Sequence, residues 1–452
     1  MKLPESFLDQ IKGILLNEFS DFIESLESPS PISIRLNNKT QITPSNERVS
    51  WCDSGYYLSE RPLFTADPLF HAGAYYVQEA SSMFLQQALE QHVSKDSTVL
   101  DLSAAPGGKS TLISQYLNEN GFLVSNEIVR SRANILAENM IKWGNDNVLV
   151  SNNSPEDFQK LPSFFDVLVV DAPCSGEGMF RKDEGAISEW SKQNVTMCSM
   201  RQKDILNGAW DTLKSDGILI YSTCTYNKNE NDDIIEWIES ELGAEFLPLK
   251  IEQFPEITAG EKGYRFYPHK TRGEGFFISV LRKTSDCPKA HKKKKNKQIQ
   301  KTDNNLLSLK NQLINPSIWE LLIENNVVSA IQKTHLDKVE ILRKELKTIH
   351  FGITLAEIKG KDFIPHISLA LSKQINLENV NTAEIDEKKA IQYLSKETIQ
   401  LPETKNGFVL LKNKNVPIGW VKNLGKRCNN LYPKEWRIRM NLSRSLPASD
   451  LL

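Results

Sequence analysis

Between residues 97 and 237 the chain repeats one unit: a short apolar run, a small polar turn, then a segment with helical character. TVLDL leads into AAPGGKS and a helix through Leu117, and FLVSN into Glu127 and a helix around 130–142. NVLV leads into Asn152, FDVLVV into DAPCSGEG, and GILIYS into STCT and NENDDIIEWI. Runs that stay apolar at successive positions suit strands covered on both faces. Strands alternating with helices predict a doubly wound, mostly parallel α/β sheet. Such sheets bind ligands beyond the C-terminal ends of their strands, so the turns carry the chemistry. GFFISVLRK is expected to add a last, antiparallel strand.

A chain of 452 residues exceeds what one core serves, so two to four domains are expected. Residues 1–70 show helical periodicity (Phe7, Ile11, Ile14, Leu15) and then a strand, SIRLN; 71–283 hold the α/β pattern. Residues 284–305 read as a Lys-rich linker, since 283–297 contain seven lysines against one aspartate and cannot bury themselves. Residues 306–385 form a mixed intermediate domain and 386–452 a terminal one. Within the latter, 405–444 carry ten Lys/Arg against only Glu435, interleaved with Phe408, Trp420, Tyr432 and Trp436. Cations and flat apolar faces together suit RNA, whose phosphates need charge and whose unpaired bases need stacking surfaces. Net charge is only −2, so polyanion binding must come from such local patches.

The six cysteines (Cys52, Cys174, Cys198, Cys224, Cys287, Cys428) show no ligand spacing. That argues against a metal site and a disulfide framework, and for a reducing cytosol. MKLPESFLDQIKGILL lacks the basic start and long apolar core of a signal peptide. No apolar run approaches the ~18 residues of a membrane span. A cytoplasmic protein without membrane contact is expected.

The glycine turn DLSAAPGGKST leaves alternatives open. Gly108-Lys109-Ser110 matches the end of a phosphate-binding P-loop, but the first glycine of that motif would fall at 103, which is Ser. With VVDA as a possible partner strand, an NTPase stays a rival. Asp101 ends the first strand, Pro106-Gly107-Gly108 make the turn, and Glu127 ends the second strand, where an acid suits ribose hydroxyls. The spacing is not that of a dinucleotide loop. A nucleoside without pyrophosphate, such as S-adenosylmethionine, fits better.

Two thiols sharpen the reading. Cys174, in VVDAPCSGEG, and Cys224, in YSTCTYNKNEN, each follow a buried strand, and the two strands are expected to be neighbours. Ser222, Thr223 and Thr225 are expected to offer hydroxyls that polarise a thiolate. Arg181 and Lys182 are expected to meet RNA phosphates.

Together DLSAAPGGKS, SNEIVRSRA, VVDAPCSGEG and YSTCTYNKNEN resemble the RNA cytosine-C5 methyltransferases of the NOP/Sun family, in particular the bacterial RsmF-like branch acting on 16S ribosomal RNA. HAGAYYVQEASSM and the ending NGFVLLKNKNVPIGWVKNLGKRCNNLYPKEWRIR extend the similarity over almost the whole chain. The resemblance implies a Rossmann-like class I methyltransferase core, an N-terminal α+β RNA-binding extension and a C-terminal PUA-like RNA-binding domain. It implies S-adenosylmethionine as cofactor and no metal, 16S rRNA or the small ribosomal subunit as partner, and a monomer. Cys224 corresponds to the nucleophile that adds to cytosine C6, and Cys174 to the thiol that assists release. Asp171 would contact N3 and the exocyclic amine, with Lys109 between cofactor and base. Cofactor contacts are implied for Ala104, Ala105, Pro106, Gly107, Gly108, Lys109, Ser110, Glu127, Asp171 and Asn153. The family commonly carries an acid where this chain has Asn153. A tRNA-directed enzyme, a DNA-like exchange of the two cysteine roles, and a non-catalytic rRNA-binding assembly factor remain the other readings.

Overall fold

The computed structural model describes residues 2–40, 44–286 and 304–440. Most of the Lys-rich linker, with Cys287, and the last twelve residues lie outside the described residues.

The chain opens with α1 (Glu5–Leu15) and α2 (Phe19–Glu27). Phe7, Ile11 and Leu15 recur every four residues and are buried on one side of α1, whereas Ile14 is exposed. A three-stranded antiparallel sheet follows, with β1 (Ile32–Leu36) between β2 (Gly55–Leu58) and β3 (Tyr75–Val77). β3 carries the N-terminal unit past the expected boundary at 70. The buried Arg35 of β1 ties this unit to the next: its guanidinium donates to Gln78 Oε1 (2.8 Å) and Thr111 Oγ1 (2.5 Å) and lies 4.5 Å from the centre of the Trp143 ring.

The main sheet is built on five parallel strands in the order β8-β7-β4-β5-β6. These are β4 (Thr98–Asp101), β5 (Phe122–Asn126), β6 (Val148–Ser151), β7 (Phe165–Asp171) and β8 (Leu213–Thr223). Val167 to Val170 are all buried, as a strand covered on both faces requires. The short strands β9 (Ala244–Phe246), β10 (Thr258–Ala259) and β11 (Tyr264–Phe266) precede β12 (Phe276–Lys283). β12 pairs antiparallel with β8, as GFFISVLRK led us to expect.

The intermediate domain has an antiparallel sheet of β13 (Trp319–Glu324), β14 (Val327–Gln332), β16 (Ile353–Lys359) and β17 (Asp362–Pro365). Its remaining strand, β15 (Thr348–Phe351), leaves that sheet and pairs antiparallel with β6, His350 opposite Val150. The methyltransferase-like sheet is therefore completed by a strand from two hundred residues downstream. The terminal domain is a sheet in the order β18 (Thr382–Glu384), β19 (Gly407–Asn413), β20 (Val416–Asn423) and β21 (Cys428–Asn430). Trp420 and Tyr432, expected on an RNA-facing surface, are 3% and 1% exposed and belong to the core. Large rings next to β-sheet aliphatics gain more by burial than by display. Among the described residues no helix is long and apolar enough to cross a membrane.

Candidate active site

Three strand ends meet at one point. β4 ends at Asp101, and its turn contains Gly107 with φ +118°, a left-handed conformation that glycine adopts without strain. The loop is pinned from outside by Ala104 N–H to Asn126 O (2.8 Å), Arg132 to Ala105 O (2.9 Å) and Asn139 to Pro106 O (2.8 Å). From the helix that follows, Lys109 reaches across to β7 and pairs with Asp171, Nζ to Oδ2 2.7 Å. β7 and β8 run parallel with Asp171 beside Ser222, whose hydroxyl donates to Asp171 Oδ1 at 2.8 Å. Past those ends the chain places Cys174 and Cys224 with their sulfurs 3.1 Å apart, both free thiols. Lys109, Asp171, Cys174 and Cys224 thus converge as the sequence suggested.

The two sulfurs are not equivalent. The Cys174 thiol is pushed well above its ordinary pKa, first by its hydrogen bond to Cys224, then by burial and by the charge of Glu230. Either sulfur can donate to the other across this contact. The hydroxyls expected to support a thiolate are engaged elsewhere. Ser222 serves Asp171, Thr223 donates to Asn231 Oδ1 (2.6 Å), and Thr225 pairs with Ser175 (3.1 Å).

The cofactor residues divide. Ala104 to Lys109 form the turn, and Glu127 is 2% exposed with one oxygen on Val129 N–H (2.9 Å) and the other 3.5 Å from Arg132. Asp101 is fully buried; Ser110 donates to its Oδ2 at 2.6 Å, while Oδ1 has no partner. Burial pushes this carboxyl up to about 7, against the opposing hydrogen bond from Ser110. Ser110 itself was expected to face the cofactor, but its side chain is fully buried and turned to Asp101. Asn153 also departs from expectation. Its Oδ1 accepts from Lys347 N–H (3.0 Å) and its Nδ2 donates to Lys347 O (3.3 Å), so both amide atoms serve the entry to β15. An amide offers the acceptor and donor that the backbone N–H and C=O of one residue need; a carboxylate would set an oxygen against the carbonyl.

Arg181, expected to meet RNA, is buried. Its guanidinium binds Glu274 Oε2 (3.0 Å), Gly273 O (2.6 Å) and Ser25 O (3.2 Å), and Lys182 lies 3.4 Å from the same Glu274. Sequence reasoning passed over Glu177, Asn227 and Glu230, all buried next to the thiols. The available signal was an acid three residues after Cys174 and another six after Cys224.

Three family models match the chain: 16S rRNA methyltransferase RsmB/F over residues 87–282, the N-terminal domain of 16S rRNA methyltransferase RsmF over 3–80, and the methyltransferase RsmF PUA domain over 380–438. The chain is 30% identical to ribosomal RNA small subunit methyltransferase F of Pectobacterium atrosepticum, covering 96% of this chain and 95% of that protein. It is 32% identical to the protein of the same name from Vibrio campbellii, covering 96% and 97%. Among solved structures, a methyltransferase homolog protein from Pyrococcus horikoshii superposes with TM-score 0.52 at 27% identity, over 62% of this chain and 95% of that one. The crystal structure of NSun6 from the same organism, determined with SFG, shares the fold with TM-score 0.52 at 20% identity, over 63% and 99%.

Proposed function

The chain belongs to the ribosomal RNA small subunit methyltransferase F family, an RsmF-like branch of the Sun proteins, and from that premise we propose that it methylates cytosine C5 in 16S ribosomal RNA through a transient Cys224–C6 bond. As a member it is an rRNA methyltransferase that uses S-adenosylmethionine. The observation that carries the cytosine-C5 reading is the pair of free thiols 3.1 Å apart beside the Lys109–Asp171 ion pair.

The residues fit the cofactor. The turn Ala104–Lys109 with its left-handed glycine, the partnerless buried Oδ1 of Asp101 and the Glu127 carboxylate form a cradle of acceptors suited to a cationic nucleoside. When bound, S-adenosylmethionine supplies an electrophilic methyl group. Cytosine C5 is too poor a nucleophile to take it until a thiolate at C6 turns the ring into an enamine. Cys224 makes that bond as a thiolate, its proton having passed to solvent. Asp171 receives the exocyclic amine and holds a proton at N3, where charge develops, and Lys109 at 2.7 Å balances it. Cys174, its own proton given up to solvent, then takes the C5 proton; the C5–H electron pair forms C5=C6, the C6–S bond breaks, and Cys224 leaves as a thiolate. The exposed Lys405, Lys426, Arg427 and Lys434 of the terminal domain supply the phosphate contacts. The protein acts as a cytoplasmic monomer.

Removing each thiol separates the roles. Cys224→Ala should give neither methylation nor adduct. Cys174→Ala should accumulate a covalent protein–RNA complex, visible as a shifted band on a denaturing gel. Adduct from Cys224→Ala but not Cys174→Ala would reverse the assignment. No adduct from any form, even on RNA carrying 5-fluorocytosine, would sink the covalent mechanism. Bisulfite mapping of rRNA from a deletion strain identifies the nucleotide.

A further inference from the structure

Two loops carry the thiols, and nothing covalent sets their separation. The hydrogen bonds that do so are crossed. Glu177, in the Cys174 loop and fully buried, accepts the backbone N–H groups of Tyr226 (2.8 Å) and Asn227 (3.0 Å) from the Cys224 loop on Oε2. Glu230, beyond the Cys224 loop and also fully buried, accepts the backbone N–H of Ser175, the residue after Cys174, at 3.0 Å. Asn227 stands between them and donates through Nδ2 to Glu177 Oε1 (3.1 Å) and Glu230 Oε1 (2.7 Å). Gln202 adds a donor to Glu230 at 2.8 Å. Oε1 of Glu177 also takes Trp190 Nε1 (3.0 Å) and Gln10 Nε2 (2.9 Å), the latter from α1.

Both carboxyl groups are fully buried, where a hydrogen bond is stronger than in water. Among the described residues no lysine or arginine pairs with either group; their donors are peptide N–H groups of the two loops together with the side chains of Asn227, Gln202, Trp190 and Gln10. We propose that Glu177, Asn227 and Glu230 are positioning residues forming a reciprocal clamp, in which each cysteine loop carries the carboxylate that holds the other and so fixes the distance between the thiols. Through Gln10, and through Phe7 on Phe180 (4.9 Å) and Phe22 on Tyr226 (5.1 Å), the N-terminal helices buttress this clamp. The part of the proposal concerning turnover rests on the covalent reading above; the part concerning sulfur geometry does not.

The test uses the full-length protein and diamide, which bridges neighbouring thiols: two S–H bonds break, one S–S bond forms, and the two hydrogens pass to the azo nitrogens. Bridging of Cys174 to Cys224 is followed by mass spectrometry. Glu177→Gln, Glu230→Gln and Asn227→Ala should each slow bridging at least about 10-fold and lower kcat about 100-fold, with the affinity for S-adenosylmethionine within about 2-fold, because misplacing reacting groups by an ångström costs that much. Glu230→Gln should at the same time speed alkylation of Cys174 by iodoacetamide, since a charge that holds its proton on is removed. General loosening of the fold would also speed alkylation of the buried Cys52, whereas loss of the clamp leaves that thiol at its wild-type rate. Bridging at the wild-type rate in all three variants overturns the proposal. Slower bridging with no methyl transfer in the wild type leaves the clamp standing and overturns the covalent reading instead. Should the buried variants fail to fold, Gln10→Ala decides: losing one of five hydrogen bonds on Glu177 should slow bridging about 3-fold, and an unchanged rate refutes the clamp.

Discussion

Asn153→Asp tests whether this residue latches a domain or reads a cofactor. The substitution keeps shape and size and keeps the acceptor that takes Lys347 N–H at 3.0 Å. It replaces the donor facing Lys347 O at 3.3 Å with a second oxygen. A lost hydrogen bond is worth about 1 kcal/mol and an unpaired acceptor pressed against another acceptor about 1 more, so the entry to β15 should loosen by about 2 kcal/mol. That is about a 30-fold rise in local opening. Hydrogen exchange followed by mass spectrometry at pH 7 should show the loss of protection confined to a peptide covering residues 347–351. Strands β4, β5, β7 and β8, which do not touch β15, should exchange as before. If those amides exchange at the wild-type rate while S-adenosylmethionine affinity changes, Asn153 serves the cofactor and the latch argument is wrong.

Three other outcomes follow from the geometry. Asp101 has a folded pKa of about 7, above the ~4 of an unfolded aspartate, so the folded state holds a proton that the unfolded chain releases and stability falls as pH rises through 4–7. Asp101→Asn should flatten that loss, on the order of 4 kcal/mol at most, and equal shifts in urea midpoint between pH 5 and pH 8 for both proteins would refute it. Phe22→Ala should cost about 3–5 kcal/mol by opening a cavity between α2 and Tyr226; a thermal midpoint unchanged by calorimetry contradicts that. Replacing Lys405, Lys426, Arg427 and Lys434 together by Gln should weaken RNA binding and reduce the slope of log affinity against log salt by about 3, at ~0.7–0.9 per phosphate contact, and an unaltered slope removes these residues from the interface.

The strand ends and their side chains were legible because each is a local pattern. Apolar runs stop at Asp101, Asp171 and Thr223, and parallel neighbours bring those stops together whatever lies between. What stayed hidden depends on partners distant in sequence. Arg181 looked like a free cation in the string and is neutralised by Glu274, ninety-three residues on. Asn153 looked like a weakened cofactor contact until Lys347 arrived, one hundred and ninety-four residues later. Trp420 and Tyr432 looked like stacking faces because alternation in a short basic strand does not say which side the core is on. Glu177 and Glu230 passed without notice, since a buried acid and an exposed one are the same letter.

The pairing of β15 with β6 carries a consequence for how the chain is made. β6 is complete at Ser151, but its outer edge has no partner until Phe351 is available. During synthesis at ~5–20 residues per second, that interval lasts roughly 10–40 seconds. Throughout it the nascent sheet presents an apolar edge whose N–H and C=O groups can template pairing with another chain. Fragments ending at the catalytic domain, near Lys283, inherit the same open edge permanently and should aggregate on expression. Supplying residues 304–440 in trans should rescue their solubility only if β15 can reach that edge.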